Sequence, residues 1–155
     1  MNKPKMICFD MDGTIADLYA VENWEPKLRN SDPTPYAEAT PMWDMVELAL
    51  TLTALQKAGI QVAIVTWLGK NSSEDYKNAV RKTKREWLNK YEFPYDVFHG
   101  VQYGTTKANC VRSALAPNET AILVDDNAQV RKGWTLGETI DPTAVDLIEV
   151  LKALL

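Results

Sequence analysis

The hydrophobic positions of this chain alternate between two kinds of spacing along the sequence. Short uninterrupted apolar runs, such as residues 6–9 and 121–124, have the length and composition of buried strands. Between these runs lie longer stretches in which apolar residues recur every three or four positions, as they do in amphipathic helices. This alternation predicts an α/β fold, namely a three-layer Rossmann-like domain with a mostly parallel central sheet.

The boundaries of the expected elements follow from these spacings and from capping residues. Strands are expected at about 5–10, 61–66, 95–98, 120–124 and 138–140. Helices are expected at about 43–57, 72–90, 106–115 and 128–133, and a last helix should begin at the capping pair Asp141-Pro142. The buried stripe of the 72–90 helix is expected to comprise Tyr76, Val80, Thr83, Trp87 and Tyr91.

Composition and charge narrow the class of protein. The 155 residues fit one domain spanning 1–155, and a net charge of −4 gives no global basic field for nucleic-acid binding. The two cysteines have no C-x-x-C partner, and no apolar run reaches the roughly 18 residues of a membrane span. These features predict a cytoplasmic protein with reduced thiols and no membrane partner.

Polar side chains follow three of the predicted strands at the points where those strands end. Asp10 and Asp12 follow the first strand, Thr66 ends the second, and Asp125 and Asp126 follow a later one. Ligands of open α/β sheets bind outside the carboxyl ends of the strands, so these side chains should share one crevice. Crowded carboxylates repel one another unless a cation neutralises them, and Mg²⁺ prefers oxygen ligands. The pattern therefore predicts Mg²⁺ as the cofactor.

The string Asp10-Met11-Asp12-Gly13-Thr14, followed by Thr66, Lys107 and Asp125-Asp126, resembles the four-motif signature of the haloacid dehalogenase superfamily of phosphatases. The resemblance covers nearly the whole chain, in the order that the family shows. It implies that Asp10 is a nucleophile that forms an aspartyl-phosphate. It also implies that Asp12 acts first as general acid and then as general base.

The same resemblance implies the remaining roles in the site. Thr66 and Lys107 would hold the phosphate oxygens. The Mg²⁺ ligands would be Asp10, Asp12 through its backbone carbonyl, Asp125 and Asp126. Which of Asp125 and Asp126 binds the metal directly stays open.

Family members differ mainly in inserted cap domains, and this chain has room only for a minimal cap. The candidate is a segment rich in proline and aromatic residues, 18–41, which we call the flap segment and expect to be a loop or small flap. An open site of this kind suits an extended substrate or closure by an oligomer partner. Trp24 and Trp67 are candidate substrate contacts.

The 72–90 helix has an excess of positive charge, and we weighed two interpretations of it. Its basic residues are Lys77, Arg81, Lys82, Lys84, Arg85 and Lys90. A solvated helix face is one interpretation. A basic lip for a polyanion is the other, with Arg81 and Arg85 as candidate substrate residues.

The resemblance implies an Mg²⁺-dependent phosphomonoester hydrolase acting on a nucleotide or a similar small phosphorylated metabolite. A weaker similarity to deoxyribonucleotidases and to the phosphatase domains of polynucleotide kinase-phosphatases keeps a 3′-phosphatase on nucleic-acid ends as an alternative. A binding-only protein of the same fold is a further alternative. A receiver-type phospho-acceptor is disfavoured because its acidic pair precedes the acceptor aspartate, the reverse of the order here.

Overall fold

A computed structural model describes residues 3–155 of the chain, which form a central sheet and a small second one. The strands are β1 (Met6–Phe9), β2 (Ala16–Asp17), β3 (Thr40–Pro41), β4 (Gln61–Trp67), β5 (Val97–Val101), β6 (Ala121–Val124) and β7 (Thr139–Ile140). Five of them form a parallel sheet in the order β5-β4-β1-β6-β7, and β2 pairs with β3 in antiparallel fashion. The predicted parallel sheet is thus confirmed.

Seven α-helices accompany these strands in the described part of the chain. They are α1 (Trp24–Arg29), α2 (Thr34–Glu38), α3 (Met45–Lys57), α4 (Glu74–Lys90), α5 (Lys107–Val111), α6 (Ala128–Lys132) and α7 (Leu147–Lys152). The side chains of Asp44 and Ser73 accept backbone N–H bonds at the starts of α3 and α4, as N-cap residues do. None of the helices within residues 3–155 has both the length and the apolar character needed to cross a membrane.

Successive side chains of a strand point to opposite faces of the sheet, and helices cover both faces. Ile7 and Phe9 of β1 pack into a cluster that includes residues of α3, α4 and α7. Met6 and Cys8 pack into a second cluster, which includes residues of α5. Helices on both sides of a parallel sheet give the three-layer α/β architecture that the sequence predicts.

The flap segment contains more regular structure than a loop, and the predicted start of the last helix is wrong because local hydrogen bonds compete with it. The flap segment contains α1 and α2 and contributes β3. The last helix begins at Leu147 rather than at Asp141-Pro142. The Asp141 side chain accepts from the N–H and hydroxyl of Thr143 in a local turn, and Asp146 caps the helix instead.

The buried face of α4 also differs from the predicted stripe. Thr83 and Tyr91 are only partly buried, whereas Lys84 and Leu88 are buried beside Trp87. The buried face of α4 therefore includes Lys84, which the sequence pattern groups with the other basic residues of the helix.

Candidate active site

The central position of β1 brings the predicted site residues together. β1 lies between β4 and β6, so the chain leaves all three strands at the same edge of the sheet. Asp10 continues β1, and its N–H donates to Val124 O of β6 over 3.0 Å. A cavity of about 740 Å³ opens at this edge, and its lining includes Asp10, Asp12, Lys107, Asp125 and Asp126. Thr66 is fully buried and does not line the cavity.

Three carboxylates and one ammonium form the centre of this site. One carboxylate oxygen from each of Asp10, Asp125 and Asp126 lies within 4.8 Å of the others. The Nζ of Lys107 donates to Asp10 Oδ1 over 2.9 Å and to Asp125 Oδ2 over 2.8 Å. Lys107 is itself buried, with 4% of its surface exposed. The cluster therefore combines concentrated negative charge with one internal cation.

Burial and mutual repulsion shift the ionisation of these groups. Burial, together with the charge on Asp10, raises the pKa of Asp125 from 3.8 to about 6 and that of Asp126 to about 7. Burial alone would lower the pKa of Lys107, but the neighbouring Asp10 and Asp125 outweigh it and raise that pKa. Burial also raises the pKa of Asp12, although the adjacent Lys84 opposes the shift. The acids therefore crowd together at an electrostatic cost that a cation would relieve.

The donor set fits a hard divalent ion. Carboxylate oxygens are the ligands that Mg²⁺ prefers, and three of them converge here from Asp10, Asp125 and Asp126. The side chain of Asp12 does not join these three carboxylates, and the expectation that Asp12 contributes its backbone carbonyl stays a prediction. This side chain points instead to Lys84, whose Nζ lies 3.0 Å from Asp12 Oδ2.

The raised pKa values of Asp125 and Asp126 predict how stability responds to pH without metal. Their carboxyls keep a proton in the folded protein where the unfolded chain has lost it. In EDTA their contribution to the free energy of unfolding should therefore fall as pH rises from about 4 to about 7. Thermal melts of wild type and Asp125→Asn/Asp126→Asn across this interval isolate that contribution. A wild type that gains stability with pH relative to the variant would contradict it, and Mg²⁺ should abolish the difference in slope.

Gly13 allows the turn after β1 to pass close to the acid cluster. Its φ of +78° is unfavourable for other residues, and a Cβ there would collide with Asp126 Oδ2. The turn brings the Thr14 hydroxyl to 3.2 Å from both Asp10 Oδ2 and Asp126 Oδ1. Thr14 thus links the first and last acidic motifs, a contact that the sequence analysis did not anticipate.

Comparison with solved structures supports the fold inferred from the sequence. A chain of the Pnkp1/Rnl/Hen1 RNA repair complex aligns with a TM-score of 0.57 at 19% identity, over 89% of this chain. A candidate 3-deoxy-D-manno-octulosonate 8-phosphate phosphatase from Vibrio cholerae aligns with a TM-score of 0.50 at 15% identity, over 99% of this chain and 87% of its own. This chain shares the three-layer α/β fold of these two proteins. It spans only 43% of the length of the RNA repair protein. No protein-family model and no curated protein sequence matches it.

One residue of the candidate site was not among the site residues predicted from the sequence. Lys84 of α4 is 1% exposed and contacts Asp12, Thr66 and Trp67. A signal was present, because Lys84 lies four residues after Val80 and four before Leu88, in a column of apolar positions. A lysine among buried apolar positions of a helix is expected to pair with a buried acid.

Aromatic side chains line the cavity of the candidate site on two sides. Trp24, in the flap segment, packs against Tyr19 with ring centroids 5.1 Å apart. Trp67, at the end of β4, packs against Tyr103 at 4.8 Å and donates its indole N–H to Thr105 O. The structure therefore brings both predicted tryptophans to one cavity.

The structure does not bring Arg81 and Arg85 to this cavity. The Nε of Arg81 donates to Gly100 O over 2.9 Å, and the guanidinium of Arg85 lies 4.6 Å from the centroid of the Phe98 ring. Both side chains are directed to the neighbouring β5, so the predicted basic lip is not formed by them. The cavity lining instead includes Arg29 and Lys70.

Proposed function

We propose that this protein is an Mg²⁺-dependent phosphomonoester hydrolase that works through an aspartyl-phosphate on Asp10. The observation that carries the proposal is the cluster of Asp10, Asp125 and Asp126 around the buried Lys107 ammonium, at the carboxyl edge of a haloacid dehalogenase-like sheet. An ordinary structural ion pair has one acid for each base. Three acids around one base leave excess negative charge, which matches a site that takes up a metal cation.

The proposed first step is an in-line attack of an Asp10 carboxylate oxygen on phosphorus. The new bond between Asp10 and phosphorus forms as the bond to the leaving oxygen breaks, and Asp12 donates a proton to that leaving oxygen. In the second step water attacks the phosphorus, Asp12 takes up the proton, and phosphate and free Asp10 are released. When bound, Mg²⁺ would be held by Asp10, Asp125 and Asp126 and would neutralise phosphate charge.

Lys107 supports both steps through its position. An ammonium has three N–H donors, and Lys107 uses two of them on Asp10 and Asp125. The third N–H has no hydrogen-bond partner among residues 3–155 and is available to a phosphate oxygen. The same contacts hold the Asp10 carboxylate in place for attack.

The walls of the cavity favour a substrate with a planar group, and we propose a nucleotide or a similar phosphorylated metabolite. Trp24 and Tyr19 come from the flap segment, and Trp67 and Tyr103 come from the other side. Aromatic rings bind a nucleobase by stacking with little dependence on its identity. A cavity of about 740 Å³ is of the size that encloses a small-molecule ligand.

A second candidate is a 3′-phosphatase on nucleic-acid ends, and the observation that favours it is the pair of cationic side chains in the lining. Arg29 and Lys70 could contact backbone phosphates beyond the terminal one. Because Arg81 and Arg85 contact β5 instead, this positive surface is small. Salt-sensitive activity on oligonucleotides is the property that would distinguish this candidate from the nucleotidase.

The test is Mg²⁺-dependent phosphate release from matched substrates. Nucleoside 5′- and 3′-monophosphates, sugar phosphates and 3′-phosphorylated oligonucleotides are assayed with Mg²⁺ and with EDTA. We expect turnover only with Mg²⁺ and preferentially on nucleoside monophosphates, and Trp67→Ala should raise their KM more than that of sugar phosphates. Preferred hydrolysis of oligonucleotides would select the second candidate. Mg²⁺ binding without any turnover would contradict both and leave the binding-only alternative.

A further inference from the structure

The hydrogen bonds of Lys84 account for every donor that its ammonium has. Its Nζ donates to Thr66 Oγ1 over 2.7 Å, to Asp12 Oδ2 over 3.0 Å and to Trp67 O over 3.0 Å. An ammonium offers three N–H groups, so none is left for a substrate oxygen. With 1% of its surface exposed, the side chain also has no path to the cavity, and it does not line it. Lys84 therefore differs from Lys107, which lines the cavity and has a donor in reserve.

The bond to Thr66 determines what the threonine hydroxyl can do. Thr66 Oγ1 accepts from Lys84, so one of its lone pairs is occupied and its own O–H remains available as a donor. Thr66 does not line the cavity, so the phosphate contact expected for its hydroxyl is not formed, and the bond instead fixes the position of the Lys84 ammonium.

The bond to Asp12 holds the carboxylate at a defined place. Asp12 is the proposed proton donor, and its Oδ2 is engaged by Lys84, which leaves Oδ1 for the leaving oxygen. The contact joins α4 to the turn after β1, two segments 72 residues apart in sequence. Proton transfer requires the two heavy atoms to lie within hydrogen-bond distance, so an Asp12 side chain free to rotate would be less effective.

Stability alone does not explain a lysine at this position. Burying an ammonium is costly, and apolar residues of similar volume often stabilise a protein core as well as a buried ion pair does. The neighbouring buried positions of α4, such as Val80 and Leu88, are apolar. A charged residue there is better explained by the two polar groups that it contacts.

From this geometry we propose that Lys84 is a positioning residue that orients the Asp12 carboxylate for proton transfer, without touching the substrate. The proposal rests on the proposed phosphatase function. It predicts that removing Lys84 impairs the chemical step more than substrate binding. It also predicts that the defect depends on how much the leaving group needs a proton.

The experiment compares Lys84→Met with wild type on two substrates at saturating Mg²⁺. A nucleoside monophosphate has an alkoxide leaving group that needs a proton, whereas p-nitrophenyl phosphate has a leaving group that does not. Hydrolysis of the aspartyl-phosphate is common to both substrates, so the comparison uses kcat/KM, which reports the attack of Asp10 and the departure of the leaving group. We expect kcat/KM to fall about 100-fold on the nucleotide and less than tenfold on p-nitrophenyl phosphate. A variant that merely folds poorly would lose the same factor on both substrates.

Two further variants control for side effects of the substitution. Lys82→Met removes a charge from the same helix at an exposed position paired only with Glu86, and it should leave both activities unchanged. Asp12→Asn/Lys84→Met removes both members of the buried pair. If Lys84→Met alone does not fold, this double variant is compared with Asp12→Asn instead. On an Asp12→Asn background, Lys84→Met should lower kcat/KM on the nucleotide less than tenfold, because Asp12 no longer transfers a proton.

The outcomes separate this proposal from the proposed function. An active wild type with a substrate-dependent defect in Lys84→Met supports the positioning role. An active wild type with equal losses of kcat/KM on both substrates overturns it and leaves the phosphatase intact. A wild type inactive on every substrate overturns the proposed function and this inference with it.

Discussion

Asp10→Asn is expected to lower kcat/KM on the best substrate by at least about 10⁴-fold, because an amide cannot attack phosphorus as a carboxylate does. The substitution keeps the shape of the side chain. It also removes one of three crowded negative charges, so it should not weaken the fold. We expect a melting temperature within about 3 °C of wild type, the shift that about 1 kcal/mol gives in a protein of this size. Activity would thus be lost without a loss of structure.

A direct test of the Asp10 prediction looks for the covalent intermediate. Acid quenching of wild type during turnover, followed by borohydride reduction and peptide mass analysis, should find residue 10 converted to homoserine, and Asp10→Asn should not give that product. Asp75→Asn serves as a matched control, because Asp75 is an exposed acid in the first turn of α4. Asp10→Asn with wild-type turnover would exclude Asp10 as the nucleophile.

Lys107→Met is expected to destabilise the metal-free protein by about 3 kcal/mol, because loss of one partner leaves the other charges of a buried pair uncompensated. Lys107 contacts Asp10 and Asp125, and Asp126 lies in the same cluster. For a chain of this length, a loss of that size should lower the melting temperature in EDTA by roughly 6–12 °C. Mg²⁺ should restore more stability to the variant than to wild type, because it replaces the missing cation.

The Lys107 prediction is measured by melting both proteins in EDTA and across a series of Mg²⁺ concentrations. Lys132→Met is the matched control, since Lys132 is an exposed lysine at the end of α6, and it should melt like wild type in both conditions. Equal melting of Lys107→Met and wild type in EDTA would show that Lys107 does not compensate the acids. Turnover of Lys107→Met should also be low, because the proposed phosphate ligand is lost.

The sheet and the acid cluster were predictable because their signals lie in consecutive residues. Met6–Phe9 and Ala121–Val124 are apolar runs that end in acids, and parallel topology then brings those ends to one edge. The presence of Lys107 in the same site as Asp10, 97 residues away, was expected from the family resemblance rather than from spacing, and the direct contact between the two side chains was not predicted. The structure places their side chains 2.9 Å apart.

Lys84 and the flap segment were harder to predict for different physical reasons. A lysine in an amphipathic helix usually lies on the solvated face, and only the position of Asp12, 72 residues away, makes its burial acceptable. The helices α1 and α2 have six and five residues, too short for a periodic pattern to stand out. Their proline content also favoured a loop, although Pro35 lies within the first turn of α2, where proline is tolerated.

The flap segment contacts α4 at three points, and one of these contacts involves Lys84 of the candidate site. Tyr76 donates its hydroxyl to Asp32 O, Trp87 donates its indole N–H to Ala39 O, and the Tyr36 ring lies with its centroid 4.7 Å from Lys84 Nζ. Tyr36 is thus one residue away from the contact to Asp12. Substitutions in the flap segment that adapt it to a new substrate are therefore constrained at Tyr36. A change at position 36 alters the surroundings of the ammonium that holds Asp12.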